Sequence, residues 1–412
     1  MASAAVTETL APEKAARSDL AWILVLAVVA RVLAAVAYFR AIPLRPLNQW
    51  AYEDVNIALA LLHGQGFSSP FYFPSGPTAF MAPGYPLFLA GVMRVLGTGV
   101  AATIGTIAFQ IVLSVATVLL VVKVSRRHFG VRTGNLAGLL CAVVEPLLIA
   151  PLYIWDTCLS ALILLTAIAV APQVRRRSHF AAAGLLCAFT ALVNPALLPC
   201  MIAIFAWSAW RARVIPWLGI CVFMLAFSAW PIRNYVSMHA FIPLRSNFGY
   251  ELWSGNQNGG DGDSPIFRDP LTNPAERALF LSQGELGYMG QKESLAKTWI
   301  RAHPEEFAAL TARRVERFWA GSSKSPVAMT SLLSVLALSG LILLWRSRQT
   351  LVLFGLPLLI YPLPYYITHA DLRFQMILDP LLTMLAGYAC ECFFAWCARR
   401  PAPVSSLTAT VS

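Results

Sequence analysis

Three acids and a small set of arginines sit where they can do chemistry. Glu53 and Asp54 are adjacent in "WAYEDVNIALALLHGQGF" (50–67), just past the first long apolar run. Asp156 lies a few residues inside a later one, "APLYIWDTCLSALILL", and Glu145 closes the run before it. A carboxylate within hydrogen-bond reach of a hydroxyl can take its proton. An acid at membrane depth is costly enough to be a functional candidate by default. Arg233 and Asn234 ("WPIRNY"), Arg245 and Asn247 ("IPLRSNFGYELWSGN") and His369 and Arg373 ("ITHADLRFQMILDP") also stand where apolar runs meet polar loops. The planar fork of arginine suits phosphate, so several together can grip a lipid phosphate. Each residue also has a plainer reading. The acids can lie on a solvated helix, Asp156 can pair with Arg31, and single arginines can anchor to head groups.

The elements that position these residues follow from hydropathy. Of 412 residues, 58% are hydrophobic and 12% charged, and the mean hydropathy is +0.64. Apolar runs recur from position 20 to position 397. About 20 apolar residues are needed to cross the hydrocarbon core as a helix. The pattern therefore predicts an all-α polytopic membrane protein of about ten spans: 20–40, 99–123, 134–150, 152–172, 179–194, 195–210, 214–232, 326–345, 351–367 and 376–397. No alternating ten-residue segments suggest a barrel.

The net charge is +11. Its basic residues fall in short loops, "KVSRRHFGVR" (123–132), "RRR" (175–177), "RAR" (211–213), "RSR" (346–348) and "ARR" (398–400), with Lys14 and Arg17 before the first span. The positive-inside rule makes that face cytoplasmic and puts both termini there, in a plasma (inner) membrane. No basic tail or aromatic-interleaved patch points to nucleic acid. The expected organisation is a disordered cytoplasmic tail (1–19), an N-terminal membrane module (20–232) with a first outer loop (41–98), an outer subdomain (233–325), C-terminal membrane helices (326–397) and a cytoplasmic tail (398–412).

In the first outer loop, helical spacing over 53–63 gathers Val55, Ala58, Leu59 and Leu62 on one face. Glu53, Asn56, Ala60 and His63 form the opposite stripe, with Asp54 between. "APGYPLFLAGVMRVLG" (82–97) is apolar but too short to span, and reads as an interfacial or re-entrant helix. "ESLAKTWIRAHPEEFAALTARRVERFW" (293–319) reads as one or two amphipathic surface helices, and "GNQNGGDGDSP" (255–265) as a flexible turn without EF-hand spacing. There is no G-x-S-x-G, H-E-x-x-H or Walker A motif. The eight cysteines lie in or beside apolar runs, match no zinc spacing and read as small core residues.

Four stretches carry a resemblance: "YEDVNIALALLHGQGFSSPF…GPTAFMAPGYPLFLAG" (52–91), "YIWDTCLSALIL" (153–164), "WPIRNYVSMHAFIPLRSNFGYELWSGN" (230–256) and "YYITHADLRFQMILDPLL" (365–382). In this order the chain resembles the C-type (GT-C) membrane glycosyltransferases, namely the bacterial relatives of protein O-mannosyltransferases and of the lipid A aminoarabinose transferase. The resemblance implies transfer of a sugar from a polyprenyl-phosphate donor to a lipid, glycan or protein acceptor on the outer, periplasmic face. It also implies contact with membrane lipids, and an acid of the first outer loop as the catalytic base. Those relatives begin the loop with an Asp-Glu pair before an aromatic. Here the order is Tyr52-Glu53-Asp54, and the polar stripe favours Glu53, with Asp54 second. Asp156 is similar to the family's second acid, which orients the acceptor or shares a divalent cation. Arg373, with His369, resembles the phosphate-binding element. Whether a metal is used stays open. Two other function classes compete, a membrane transporter or lipid-handling protein and a non-catalytic subunit of envelope assembly. A transporter of repeat architecture predicts broken helices paired in two matching halves, and none are evident.

Overall fold

The computed structural model describes residues 2–262, 268–321 and 327–398. Among them there is no strand, only an isolated bridge between Ser68 and Pro77. In chain order the helices are α1 (Ala2–Ala41), α2 (Glu53–Leu62), α3 (Gly84–Leu96), α4 (Val100–Phe129), α5 (Val131–Val143), α6 (Glu145–Ile149), α7 (Thr157–Val170), α8 (Arg177–Val193) and α9 (Leu198–Ala212). There follow α10 (Trp217–Met238), α11 (Phe248–Gly255), α12 (Pro274–Ala302), α13 (Pro304–Ala320), α14 (Val327–Leu343), α15 (Arg348–Ile360), α16 (Leu363–Ile367), α17 (Leu372–Met376) and α18 (Asp379–Ala398). The chain is an all-α polytopic membrane protein.

Among the described residues seven helical segments are long and apolar enough to cross a membrane, or eight if α5 and α6, bent by 60°, count as one span. The expectation of ten is thus reduced. Two of the expected spans, at 152–172 and 179–194, are the shorter apolar helices Thr157–Gln173 and Arg177–Val193. Seventeen residues rise about 26 Å as an α-helix, short of the roughly 30 Å core. The first nineteen residues, expected to be disordered, are helical from Ala2. Six of them are Ala, the strongest helix former, and extending an existing helix avoids the cost of a new nucleus. The second tail, 398–412, lies outside the described residues except for Ala398.

The bend between α5 and α6 explains Arg31, which is 1% exposed in the middle of α1. Pro146 has no N–H, so the carbonyl of Ala142 loses its helical donor. Arg31 donates to that carbonyl at 3.3 Å and to the Cys141 carbonyl at 3.1 Å, and its Nε donates to Ser114 Oγ at 2.7 Å. A cation at a helix C-terminus also suits the dipole there. Arg31 is therefore bound to a broken helix end, not to Asp156.

α4 packs against α1, α5, α7 and α18, and α14 against α18. α8 and α10 cross where Gly184 meets Gly219. A Cβ at Gly184 would stand 2.0 Å from the Gly219 carbonyl oxygen, and one at Gly219 would stand 2.4 Å from that of Phe180. Gly184→Val should force the pair apart and cost about 1–3 kcal/mol of overpacking strain. The expected outcome is a lower thermal midpoint of the purified protein in detergent, with Gly91→Ala, which meets open space, as the unchanged control.

The two ends of the bundle differ in charge. One end holds Asp19, whose carboxylate accepts from Asn135, while Asn135 accepts from Arg126. That contact joins the start of the first apolar run to the α4–α5 turn. The other end holds α2, the start of α7, the C-terminus of α8 at Asn194 and α17. Above it, α11–α13 form an outer layer. α12 is broken at Gly284 (φ 69°, ψ 171°), which folds its two halves together, so Lys292 pairs with Glu276 at 2.6 Å and lies 3.6 Å from the Trp253 ring centroid. The amphipathic stretch 293–319 divides at His303-Pro304 into the end of α12 and α13, because the residue before proline is pushed out of the helical region.

Candidate functional site

The loop between α1 and α4 is held by residues of α10, α12 and the segment between α10 and α11. Glu285 on α12 accepts from the Ala79 N–H at 2.9 Å and from the Ser246 and Thr78 hydroxyls. Arg233 donates to the carbonyls of Thr78 and Phe67, and its guanidinium lies 5.3 Å from the Phe67 ring centroid. Asn234, fully buried, donates to the Ile242 carbonyl at 2.9 Å. Arg233 and Asn234, expected to bind substrate, are thus engaged in fixing backbone. Removing the Glu285 carboxylate should orphan three buried donors, at about 1–3 kcal/mol for a buried group left unsatisfied. Glu285→Ala is therefore expected to lower the melting temperature and to open residues 64–82 to limited proteolysis.

The loop so held presents α2. Its N-terminal turn carries Glu53 and Asp54, where the helix dipole favours negative charge. Asp54 is 1% exposed and its Oδ1 has no hydrogen-bond partner, so α2 is not a solvated surface helix. Glu53 is only partly buried. Burial and the nearby charge of Asp156 hold the Asp54 carboxyl well above its ordinary range, against the pull of Arg245 and Arg373. Burial, with Glu251 and Asp269 nearby, pushes Glu53 up to about 7. A base poised near 7 suits proton abstraction at neutral pH.

Asp156 sits one residue before α7. Its Oδ2 accepts from Ser160 Oγ at 2.6 Å and from Asn194 Nδ2 at 2.9 Å. Asn194 ends α8 just before Pro195, so the helix break that hydropathy suggested also aims an amide at the acid. Trp155, next to Asp156, packs against Tyr52 at 4.9 Å between centroids with the ring planes tilted by 44°, and carries the Arg373 guanidinium at 4.1 Å. The buried Tyr85 hydroxyl, near Asp54 and Asp156, has no hydrogen-bond partner.

Arg373 faces acids from three elements. Burial alone would weaken the cation, but Asp371, Glu251, Glu53 and Asp156 together hold its pKa above the ordinary value. Arg245 donates through Nε to the Phe80 carbonyl at 2.9 Å and lies close enough to influence Asp54. Asn247 donates to Glu251 Oε1 at 2.7 Å, and His369 Nδ1 lies 3.5 Å from Glu251 Oε2. Burial lowers the His369 pKa although Glu251 opposes it.

Glu53, Asp54, Asp156, Arg245 and Arg373 thus share one site, and Asn247 and His369 border it through Glu251. Glu251, Asn194, Trp155, Tyr85 and Glu285 are additional. Glu251 had a legible signal, a lone acid among aromatics in "FGYELW". Glu145 is exposed at the N-terminus of α6. The "GNQNGGDGDSP" turn is packed at its start. Asn256 is fully buried and donates to the Leu252 and Ile367 carbonyls. Among the described residues no three His, Cys, Asp or Glu side chains come together as metal ligands. Asp54 and Asp156 form only a pair; a divalent cation held there would take its remaining ligands from water or a substrate phosphate.

No family model matches the sequence, and no curated protein matches it. Solved structures do. The oligosaccharyltransferase of Archaeoglobus fulgidus in complex with Zn and sulfate aligns with a TM-score of 0.53 at 13% identity, over 91% of this chain and 49% of that one. The same enzyme tethered to an acceptor peptide aligns at 0.52 and 12% identity, over 92% and 50%. The transferase ArnT of Cupriavidus metallidurans bound to undecaprenyl phosphate aligns at 0.40 and 13% identity, over 88% and 77%. The chain spans about half the length of the archaeal enzyme. At that level of similarity what is shared is architecture, and over 91% of its length the chain has the fold of the archaeal oligosaccharyltransferase.

Proposed function

We propose that the protein is an inverting glycosyltransferase that moves a sugar from a polyprenyl-phosphate carrier to an acceptor hydroxyl on the outer, periplasmic face of the inner membrane. One observation carries the reading. Two acids of the first outer loop, an acid opening α7 and two arginines from distant segments couple electrostatically at the less basic end of the bundle. The positive-inside rule makes that end the outer one.

The residues suit the parts of such a reaction. Glu53 takes the proton of the acceptor hydroxyl as its oxygen attacks the anomeric carbon. The new carbon–oxygen bond forms as the bond to the phosphate oxygen breaks, with inversion because attack comes opposite the leaving group. Polyprenyl phosphate departs with the electron pair, and Arg373 and Arg245 stabilise its charge in a site of low dielectric. Burial favours the protonated form of Asp54, which can donate a hydrogen bond, and Asp156, fixed by Ser160 and Asn194, orients the acceptor. The acceptor is a lipid, glycan or protein.

The test is transfer of label from a panel of radiolabelled polyprenyl-phosphate sugars to envelope extract by the purified protein in nanodiscs, with Asp156→Asn beside it. Transfer by wild type that Asp156→Asn loses supports the reading. Uptake of substrate into sealed vesicles without any transferred product would replace it with transport.

A further inference from the structure

The far end of the bundle carries a second feature, independent of the acid site. A cavity of about 630 Å³ is lined by Ala209, Trp210, Arg211, Arg213, Val214 and Ile215. Beside it lies one of about 370 Å³, lined by Pro172, Val174, Arg175, Ser208, Arg211 and Ala212. Arg211 lines both. The α8 helix runs from Arg177 to Val193, with Asn194 touching Asp156. The neighbouring segment Pro195–Ala212 starts beside Asn194 and is long and apolar enough to cross a membrane, so its end at Arg211 and Arg213 lies about 27 Å from the acid site, at the opposite face.

Three observations say what the cavities take. First, the charge is uncompensated. No Asp or Glu occurs between Asp156 and Glu251, and none of Arg175, Arg211 and Arg213 forms an ion pair among the described residues. Second, the walls are apolar and open. Trp210 and Ile215, which line the larger cavity, are 76% and 66% exposed, and Trp217, two residues beyond, is 66% exposed. Indole rings at a membrane interface favour the head-group level. Third, the arginines are set in place. Arg211 lies 4.7 Å from the Trp207 ring centroid. Arg213 ends α9 in the left-handed region, φ 51° and ψ 42°, accepting a conformation that glycine would adopt without strain.

We propose that these cavities bind the phosphate head group of an anionic phospholipid, with its acyl chains along Trp210, Ile215 and Trp217. A cationic floor beneath open apolar walls at a membrane face matches an amphipathic anion, and basic pockets between membrane helices bind such head groups.

The test titrates cardiolipin, phosphatidylglycerol and phosphatidylcholine into the full-length protein in neutral detergent and reads lipid adducts by native mass spectrometry. Inorganic phosphate and a polyprenyl monophosphate run as separate arms. Wild type should prefer the anionic phospholipids. Each arginine near the surface contributes enough that its loss weakens binding about fivefold, and Arg175→Gln/Arg211→Gln/Arg213→Gln should weaken it on the order of a hundredfold. Arg346→Gln/Arg348→Gln, in another basic loop, should leave binding unchanged. Arg213→Gly separates binding from structure. It should raise the melting temperature without lipid, by relieving the strained residue, yet weaken lipid binding. The proposal fails if wild type binds phosphatidylcholine equally well, if the triple variant keeps wild-type affinity, if the control loop variant loses affinity equally, or if polyprenyl monophosphate alone occupies the site.

Discussion

Glu53→Gln is expected to lower the rate of sugar transfer about 10²–10⁴-fold, the range a positioned general base contributes, with the donor KM nearly unchanged. The amide keeps the size of the side chain and loses only the ability to take a proton. Because Glu53 titrates near 7, wild-type activity should rise as pH increases through that value, and this limb should vanish in the variant. Stability should move the other way. The folded state holds the Glu53 pKa above its ordinary 4.5. Below 4.5 the group is neutral in folded and unfolded chains alike, and it favours neither. Between 4.5 and 7 the unfolded chain ionises first, so rising pH favours unfolding, and above 7 the full penalty stands. Glu53→Gln has no such group and should melt higher than wild type at pH 8, and equally at pH 4. Melting curves at the two pH values beside a pH–rate profile check both halves. A variant that melts lower at pH 8 would mean that Glu53 holds the fold together.

Arg373→Ala is expected to weaken binding of polyprenyl phosphate about 10- to 100-fold, which corresponds to losing a hydrogen bond to a charged group of about 1.5–3 kcal/mol. Arg373→Lys should recover only part of this, since an ammonium keeps the charge and loses the planar fork. A second consequence follows from the same charge. Arg373 favours the ionised forms of Glu53 and Asp54, so its removal should shift the ascending limb of the pH profile to higher pH. Equilibrium binding of a labelled polyprenyl phosphate, with pH–rate profiles of residual transfer, measures both. Weakened binding with an unmoved limb would separate Arg373 from Glu53.

Hydropathy alone identified this as a membrane bundle, because crossing hydrocarbon leaves the backbone few solutions and demands apolar length. Proline and glycine marked real breaks, as at Asn194-Pro195 and His303-Pro304. The acids stood out because the chain uses acids so rarely within its apolar runs. The number of spans was less legible, since α7 and α8 are apolar yet short and α5–α6 bends at a proline.

What tertiary structure decided was which polar groups face one another. Arg233 and Arg373 look alike in sequence, each beside an apolar run, yet one is bound to loop carbonyls and the other lies among carboxylates. Glu285 is an unremarkable acid in a surface helix until Thr78, 207 residues away, is brought to it. Asp54, not Glu53, proved the more buried of the adjacent pair. Such assignments depend on contacts between segments far apart along the chain, which no local period encodes. Membrane-spanning length is a property each segment carries by itself, whereas the charge environment of a carboxylate belongs to every element folded around it.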